Sequence, residues 1–245
     1  MIRKHIPNTI TSLNLLSGVL GITAAFYYRL DLAFYLMLTA AILDFFDGFT
    51  ARLIGAYSEI GKELDSLADL ISFGLLPAIM LHRLMIELGV ADGFITFLPL
   101  VLVIFSAIRL AKFNVSTEQA YSFIGLATPA SALLCGALVY FVIQEPNTFL
   151  TTWAKSYMFF PTLALTISFL LVGQTPMFSL KIKKGSNIKD MLPIIILGIA
   201  IIIFSVLSLI LGINWSSIII LSIVFYILLN YIILFFPKIL KQSNF

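Results

Sequence analysis

The stretch Leu43-Asp44-Phe45-Phe46-Asp47-Gly48-Phe49-Thr50-Ala51-Arg52, followed after a short loop by Gly61-Lys62-Glu63-Leu64-Asp65-Ser66-Leu67-Ala68-Asp69, places four aspartates in apolar surroundings. The flanking residues extend each half into an apolar run, about 32–54 and 64–86. Roughly 20 residues of helix cross a bilayer core of about 30 Å. An aspartate at membrane depth costs at least a few kcal/mol unless a partner compensates its charge. This stretch therefore predicts two neighbouring membrane helices that share a polar site.

The rest of the chain repeats the apolar pattern. Of the 245 residues, 60% are hydrophobic and only 11% are charged, whereas soluble domains are about 45–50% apolar and about 25% charged. The first run follows a basic N-terminus and lacks an obvious cleavage site, so we expect it to be retained as a span. The sequence thus predicts an all-α, polytopic transmembrane helical bundle with about eight spans, at about 8–27, 32–54, 64–86, 94–113, 126–144, 156–173, 191–211 and 217–236.

Basic side chains are distributed unevenly between the ends of these spans. Of the 15 lysines and arginines, only Arg29, Arg83 and Lys155 fall on the side opposite the N-terminus. Because positive loops stay in the cytoplasm, both termini are predicted to be cytoplasmic, with the protein in the inner (cytoplasmic) membrane. The net charge of +3 is explained by these loop ends and gives no indication of nucleic-acid binding. The residues predicted inside are Arg3, Lys4, Arg52, Lys62, Arg109, Lys112, Lys181, Lys183, Lys184, Lys189, Lys238 and Lys241.

The four aspartates form two pairs with helical spacing. Asp44 and Asp47 are three residues apart, and Asp65 and Asp69 are four apart, so each pair shares one helix face. The short loop makes the two helices antiparallel neighbours, and both pairs then converge near the cytoplasmic end. Converging carboxylates repel one another unless cations or protons neutralise them. Oxygen ligands without a nearby Cys or His favour Mg²⁺ or Mn²⁺, and two ions about 3.5–4 Å apart can clamp a phosphoryl group.

Two other interpretations of these residues stay open. The acids could pair with Arg52 and Lys62 to stabilise helix packing, although two cations do not offset four anions. They could also serve a cation-coupled transporter, which uses buried carboxylates but places broken helices in repeated halves. Gly48 and Gly61 leave room for a bulky ligand beside the aspartates, and Arg52 offers a planar fork for phosphate or for a base edge.

The spacing of these residues resembles the signature of the CDP-alcohol phosphatidyltransferase family. The pattern is Asp44-x-x-Asp47-Gly48-x-x-Ala51-Arg52, eight residues, then Gly61-x-x-x-Asp65-x-x-x-Asp69, with every fixed position present. Further segments resemble the phosphatidylserine synthase branch of the family, so the likeness covers about residues 6–184. One departure is Ala127, where that branch is expected to have proline. The similar segments are 6–14, 64–74, 109–115, 123–129 and 176–181.

The resemblance implies a helical membrane core that commonly forms a homodimer and opens its active site to the cytoplasmic leaflet. CDP-diacylglycerol and L-serine would be its substrates, among the surrounding membrane lipids. With the same chemistry, glycerol 3-phosphate or inositol phosphate stays open as the acceptor. We expect a single integral membrane domain over residues 1–245, with a catalytic core at about 6–184 and a C-terminal two-helix extension at about 191–236.

The resemblance also assigns roles to the aspartates. Asp44, Asp47 and Asp65 would hold two divalent cations, Mg²⁺ or Mn²⁺, on the CDP diphosphate. Asp69 would complete the metal site and act as general base on the acceptor hydroxyl, because a serine hydroxyl is a poor nucleophile at neutral pH. CMP would then leave, with its charge stabilised by metal and by Arg52.

Substrate contacts are predicted around this centre. Asn8 and Thr11 could contact cytidine or phosphate, or could cap the first helix; Ser58 could contact the cytidine or be a loop hydroxyl. Arg109 suits the carboxylate of serine because its fork donates two parallel hydrogen bonds, although it could be an interfacial residue. Asn114 is predicted to bind serine beside it. The predicted CDP-diacylglycerol contacts are Asn8, Thr11, Gly48, Ala51, Arg52, Ser58 and Gly61.

Overall fold

The computed structural model describes residues 5–56, 58–90, 93–115, 123–178 and 188–235, and most of these residues are helical. Helices suit apolar runs because a segment in hydrocarbon must satisfy its backbone N–H and C=O groups internally. The all-α, polytopic fold is therefore confirmed. Its elements are α1 (His5–Phe26), α2 (Leu30–Ile54), α3 (Glu59–Asp69), a π-helical turn (Leu70–Leu75), α4 (Leu76–Glu87), a 3-10 segment (Gly93–Leu100), α5 (Val101–Val115), β1 (Phe123–Ile124), α6 (Thr128–Gln144), α7 (Phe149–Ala154), α8 (Phe159–Val172), β2 (Pro176–Met177), α9 (Ile188–Leu211) and α10 (Ser216–Phe235).

Six helical segments within the described ranges are long and apolar enough to cross a membrane. They are α1, α2, the continuous segment Glu59–Glu87, the segment Gly93–Val115, Met191–Leu211 within α9, and α10. The other two predicted spans correspond to α6 and α8, which have 17 and 14 residues. At 1.5 Å per residue these helices are about 26 and 21 Å long. The count of eight spans and the cytoplasmic position of the termini therefore stay predictions.

The third span carries an irregularity immediately after Asp69, where the π turn replaces the regular helix. Small side chains surround this turn. The Ser72 hydroxyl donates to the carbonyl of Asn14 in α1 at 3.1 Å. A Cβ at Gly74 would lie 3.1 Å from the Cβ of Ser106 in α5. The turn thus lies in close contact with both α1 and α5, next to a predicted catalytic aspartate.

The buried core lies where α4 and α6 pack against α1 and α2. Phe34 and Met37 of α2 are fully buried. α6 approaches them at Gly136, where an added Cβ would collide with the Met37 side chain. Small residues at such contacts are typical of membrane helices, because close van der Waals packing drives their association. This packing fixes the position of α2, which carries Asp44 and Asp47.

The α9–α10 hairpin lies at the periphery. α10 packs against α6 and α9 and touches β2. Only 17% of the α9 span and 11% of the α10 span are buried inside the protein, compared with 56% of the span Glu59–Glu87. Beside it, the β1–β2 ribbon pairs Phe123 with Met177 and Ile124 with Pro176 in antiparallel register. The division into a catalytic core and a C-terminal extension stays a prediction.

Candidate metal and nucleotide site

Three aspartates converge between α2 and α3. Asp44 and Asp47 on α2 face Asp65 on α3, and one carboxylate oxygen of each lies within 4.8 Å of the others. The three-residue spacing keeps the first two on one face of α2. Gly55, with φ 64°, ends α2 in a left-handed cap and turns the chain toward α3. These oxygens form a ligand set suited to a hard divalent cation such as Mg²⁺ or Mn²⁺.

None of the four aspartates forms an ion pair with a basic side chain among the described residues. In the described parts of the chain the one ion pair joins Arg29 and Asp31, at the opposite end of α2. Lys62, which could have paired with these acids, instead donates to a backbone carbonyl of α5 at 2.9 Å. One oxygen each of Asp65 and Asp69 is buried without a hydrogen-bond partner among the residues described. Orphaned carboxylate oxygens in an acidic set fit a bound cation.

A third helix supports the cluster through Thr11 of α1. The Thr11 hydroxyl donates to the Asp47 carboxylate at 2.7 Å, and the two residues are only 3% and 5% exposed. Such a bond orients a carboxylate, as groups behind metal ligands commonly do. Sequence reasoning placed Thr11 against the nucleotide or in a helix cap. It missed this contact because the two residues lie 36 positions apart.

Asp69 lies at the end of α3, outside the set of three whose oxygens meet. Its carboxylate interacts electrostatically with those of Asp44 and Asp65 and with the guanidinium of Arg109 in α5. Asp69 therefore faces both the aspartate cluster and a buried cation. This position suits a group that accepts a proton beside the metal site, and its predicted roles as base and ligand stay predictions.

A pocket with a volume of about 230 Å³ lies beside the cluster, and Asp47 and Asp65 form part of its wall. Every residue predicted to contact CDP-diacylglycerol lines this pocket, although these residues come from α1, α2 and the start of α3. Pro7, Ala56 and Lys62 also line it, and the sequence analysis did not assign them to it. The predicted contacts on the wall are Asn8, Thr11, Gly48, Ala51, Arg52, Ser58 and Gly61.

Gly48 and Gly61 line this pocket and shape it in different ways. A Cβ at Gly48 would have Nη1 of Arg52 as its nearest neighbour at 3.8 Å, so this position leaves room for a ligand. A Cβ at Gly61 would lie 2.8 Å from Oδ1 of Asn8 and 2.9 Å from Oγ of Ser58. The same Ser58 oxygen caps α3 by accepting from the Gly61 N–H at 3.0 Å. Gly61 therefore allows α1 and α3 to converge, which closes one side of the pocket.

Arg109 and Asn114, the predicted serine contacts, point to different partners. Five residues of helix separate them by about 140° around α5. Nη1 of Arg109 donates to the Thr128 hydroxyl at 2.8 Å, and its buried Nε has no hydrogen-bond partner in the described ranges. The Asn114 amide donates to the Ser66 hydroxyl of α3 at 2.9 Å. Arg109 thus retains a free donor near Asp69, whereas Asn114 is engaged in joining α5 to α3.

The chain is similar in sequence to a known protein family and to several curated relatives. The family model for CDP-alcohol phosphatidyltransferase matches residues 4–171. A CDP-diacylglycerol–serine O-phosphatidyltransferase of Helicobacter pylori is 40% identical over 131 residues, which cover 52% of this chain and 54% of that protein. A Bacillus subtilis protein of the same name is 32% identical over 155 residues, covering 63% of this chain and 86% of the relative. An archaetidylserine synthase of Methanothermobacter thermautotrophicus is 35% identical over 130 residues, covering 52% and 54%.

These matches cover only part of the relatives and only part of this chain. The chain spans about half the length of the Helicobacter and Methanothermobacter relatives, at 54% of each. The family match contains α1 to α7 and all of α8 except its last residue, with all four aspartates and both predicted serine contacts. It ends at residue 171, before β2, α9 and α10.

Proposed function

The chain belongs to the CDP-alcohol phosphatidyltransferase family, and from this premise we propose that it transfers the phosphatidyl group of CDP-diacylglycerol to L-serine and releases CMP. The observation that carries the proposal is the pocket beside the aspartate cluster, which is lined by every residue predicted to contact the donor. The names of the relatives support serine as the acceptor, because each of those names includes serine.

A divalent metal site is part of this proposal. Asp44, Asp47 and Asp65 would hold the metal, and Asp69 would contribute beside them; we propose two ions, Mg²⁺ or Mn²⁺. Bound cations would neutralise the diphosphate and stabilise the negative charge of the leaving CMP. The support is the oxygen-only donor set and the buried carboxylate oxygens without partners among the described residues.

The donor would bind with its nucleotide in the pocket. Arg52 is exposed on the pocket wall, where its guanidinium can contact phosphate oxygens. Asn8 and Ser58 offer polar groups beside Gly61, and these can donate hydrogen bonds to cytidine or accept hydrogen bonds from it. Thr11 would act indirectly, because its hydroxyl is already bonded to Asp47.

The acceptor would approach from the side of Arg109. The Nε of Arg109 has no hydrogen-bond partner among the described residues. It suits the carboxylate of serine, since the planar guanidinium of an arginine matches a carboxylate. Asp69 would take the proton from the serine hydroxyl. A new bond would form from that oxygen to the phosphatidyl phosphorus, and the bond from this phosphorus to the oxygen of CMP would break. Asn114 remains a predicted serine contact that would first have to release Ser66.

The test is an acceptor panel. Purified protein in lipid nanodiscs would receive CDP-diacylglycerol, Mg²⁺ or Mn²⁺, and serine, glycerol 3-phosphate or inositol phosphate, with CMP release and the lipid product measured. We expect phosphatidylserine and the fastest CMP release with serine. Faster release with a phosphorylated acceptor would retain the family chemistry but reject serine, and cation transport without CMP release would reject the enzyme altogether.

We also propose a location and an assembly for the protein. It would lie in the inner membrane with the active site facing the cytoplasm, as the distribution of basic residues suggests, and it would form a homodimer, as the family resemblance implies. Many of these basic residues, including Lys184, lie outside the described residues. In intact cells, a cysteine introduced at Asn147 should react with an impermeant reagent. A cysteine introduced at Lys184 should react only after lysis. Crosslinking in native membranes would test the dimer.

A further inference from the structure

We propose that Tyr226 and Asn230 of α10 are positioning residues for the acceptor site. They hold the segment ending at Phe178, and through the β1–β2 ribbon they fix Thr128 and Arg109 beside Asp69. The role in acceptor binding rests on the proposed function. The structural connection from α10 to Arg109 does not, and it can be tested by itself.

The connection begins where α10 meets Phe178. The backbone N–H of Phe178 donates to Oδ1 of Asn230 at 2.8 Å. The Tyr226 hydroxyl donates to the carbonyl oxygen of Phe178 at 3.1 Å. The aromatic rings of Tyr226 and Phe178 also pack edge to face, with centroids 4.9 Å apart. One residue therefore has both backbone polar groups and its side chain held by the same helix.

These polar groups are unusual for the helix that carries them. α10 is an apolar span of which only 11% is buried inside the protein, yet Asn230 is only 3% exposed. Burying an amide without hydrogen bonds costs several kcal/mol in an apolar medium. Asn230 avoids that cost because its Nδ2 also donates to the Tyr226 carbonyl at 2.8 Å. The amide thus acts as a specific docking group on an otherwise apolar helix.

The segment held by α10 continues directly into the ribbon. β2 ends at Met177, one residue before Phe178, and pairs with Phe123 of β1. The N–H of Gly125 donates to the Thr175 carbonyl at 2.9 Å. The chain can make this approach because Gly125 has φ 74°, and a Cβ there would collide with backbone oxygens at the end of α8. The start of α6 is consequently anchored to the segment that α10 holds.

The last links reach the proposed acceptor site. Thr128, the first residue of α6, is fully buried, and its hydroxyl accepts from Nη1 of Arg109 at 2.8 Å. Asp69 and Tyr226 both lie near the guanidinium of Arg109. Arg109 is therefore held by the first residue of α6, which follows directly from the ribbon that α10 contacts.

The first test compares steady-state kinetics. Tyr226→Phe removes one hydroxyl and keeps the ring, whereas Asn230→Leu removes both amide contacts at similar size. Ser222→Ala is the matched control, because the Ser222 hydroxyl lies on the same helix and has no hydrogen-bond partner among the described residues. We expect the serine KM to rise roughly 2–10-fold in Tyr226→Phe, as for one lost hydrogen bond, and further in Asn230→Leu. The KM for CDP-diacylglycerol and kcat should stay near their wild-type values.

The second test does not need activity. Met177 is 4% exposed, so a Met177→Cys reporter should react slowly with a maleimide; Cys135, the single native cysteine, is buried and supplies the background. Adding Asn230→Leu should raise the labelling rate several-fold, and adding Ser222→Ala should not.

The two measurements separate the possible failures. Unchanged labelling would overturn the connection between α10 and the ribbon. Faster labelling with an unchanged acceptor KM would overturn the positioning role. So would faster labelling with a general defect, in which kcat falls and the KM values of both substrates rise by similar factors. If the wild type prefers another acceptor, the serine proposal fails, and the KM of that acceptor becomes the readout. If the wild type releases no CMP, both the proposed function and the role of Tyr226 and Asn230 in acceptor binding are wrong. The labelling result would still test the connection from α10 to the β1–β2 ribbon.

Discussion

The α2–α3 and α9–α10 hairpins have similar turns, but their buried polar groups differ in hydrogen bonding. In each hairpin an apolar helix, α2 or α9, is followed by a glycine with positive φ, Gly55 at 64° and Gly212 at 62°. The second helix differs: α3 carries five charged residues, whereas α10 carries none. The first hairpin exposes aspartate oxygens to a pocket and leaves some of them without partners among the described residues. In the second, the buried amide of Asn230 is bonded at both its oxygen and its nitrogen.

This difference separates a ligand site from a docking site. A buried polar group in hydrocarbon needs a partner. Where the protein supplies that partner, as Phe178 does for Asn230, the group fixes one helix to another segment. Where the described residues supply none, as for one oxygen of Asp65, the group fits a bound ligand such as a cation. Four predictions test this distinction, and they follow from the largest expected effect to the smallest.

Removal of divalent cations should abolish activity completely, because the aspartate hairpin would then have no partner for its charges. Exhaustive chelation should stop CMP release, and added Mg²⁺ or Mn²⁺ should restore it. The melting temperature should also rise with added cation, since a ligand that binds only the folded protein stabilises it. Undiminished turnover in the chelated protein would show that the aspartates do not act through metal.

Asp44→Asn should reduce kcat/KM by roughly 100-fold or more, comparable to the loss of a key electrostatic group in other active sites. The apo protein should nevertheless melt at the same or a higher temperature, because one of several repelling charges is gone, and the stabilisation by Mg²⁺ should shrink. Asp31→Asn is the matched control on the same helix. It breaks only an exposed ion pair with Arg29 at 3.4 Å, so its effect should be below about 1 kcal/mol.

Arg109→Ala should raise the serine KM at least tenfold, because a charged contact in a buried site typically contributes about 2–5 kcal/mol to binding. The affinity for CDP-diacylglycerol should change little, since Arg109 does not line the pocket beside Asp47 and Asp65, where we propose that the nucleotide binds. Lys112→Ala is the control, because Lys112 is an exposed cation three residues further along α5. Equal KM values in the two variants would remove Arg109 from the acceptor site.

Thr11→Val should have the smallest effect. It removes the hydroxyl that orients Asp47, and one hydrogen bond is worth about 0.5–1.5 kcal/mol, so the Mg²⁺ concentration for half-maximal activity should rise roughly 2–10-fold. Thr9→Val is the control on the same helix, because the Thr9 hydroxyl is exposed and bonds only to the His5 carbonyl of its own helix at 2.9 Å. A shift of the same size in both variants would mean that Thr11 acts on α1 and not on the metal site.

The sequence predicted the helices, the convergence of Asp44, Asp47 and Asp65, and seven residues that line one pocket beside them. These features depend on short-range rules: apolar length decides which segments are helical spans, and three- or four-residue spacing decides which side chains share a face. The short loop from α2 to α3 then brings two such faces together. Arg52 and Ser58 flank this loop and could therefore be assigned to the same site as the aspartates, whereas Asn8 was assigned there from its position at the predicted cytoplasmic start of the first span.

The tertiary structure alone revealed the groups that orient the site. The bond from Thr11 to Asp47, the bond from Phe178 to Asn230 and the π turn after Asp69 each depend on how helices pack across tens of residues of chain. Helix spacing itself could have separated Arg109 from Asn114, but nothing local identifies Thr128 as the partner of Arg109. Hydropathy reports only whether a segment prefers hydrocarbon, and packing decides which buried polar groups meet.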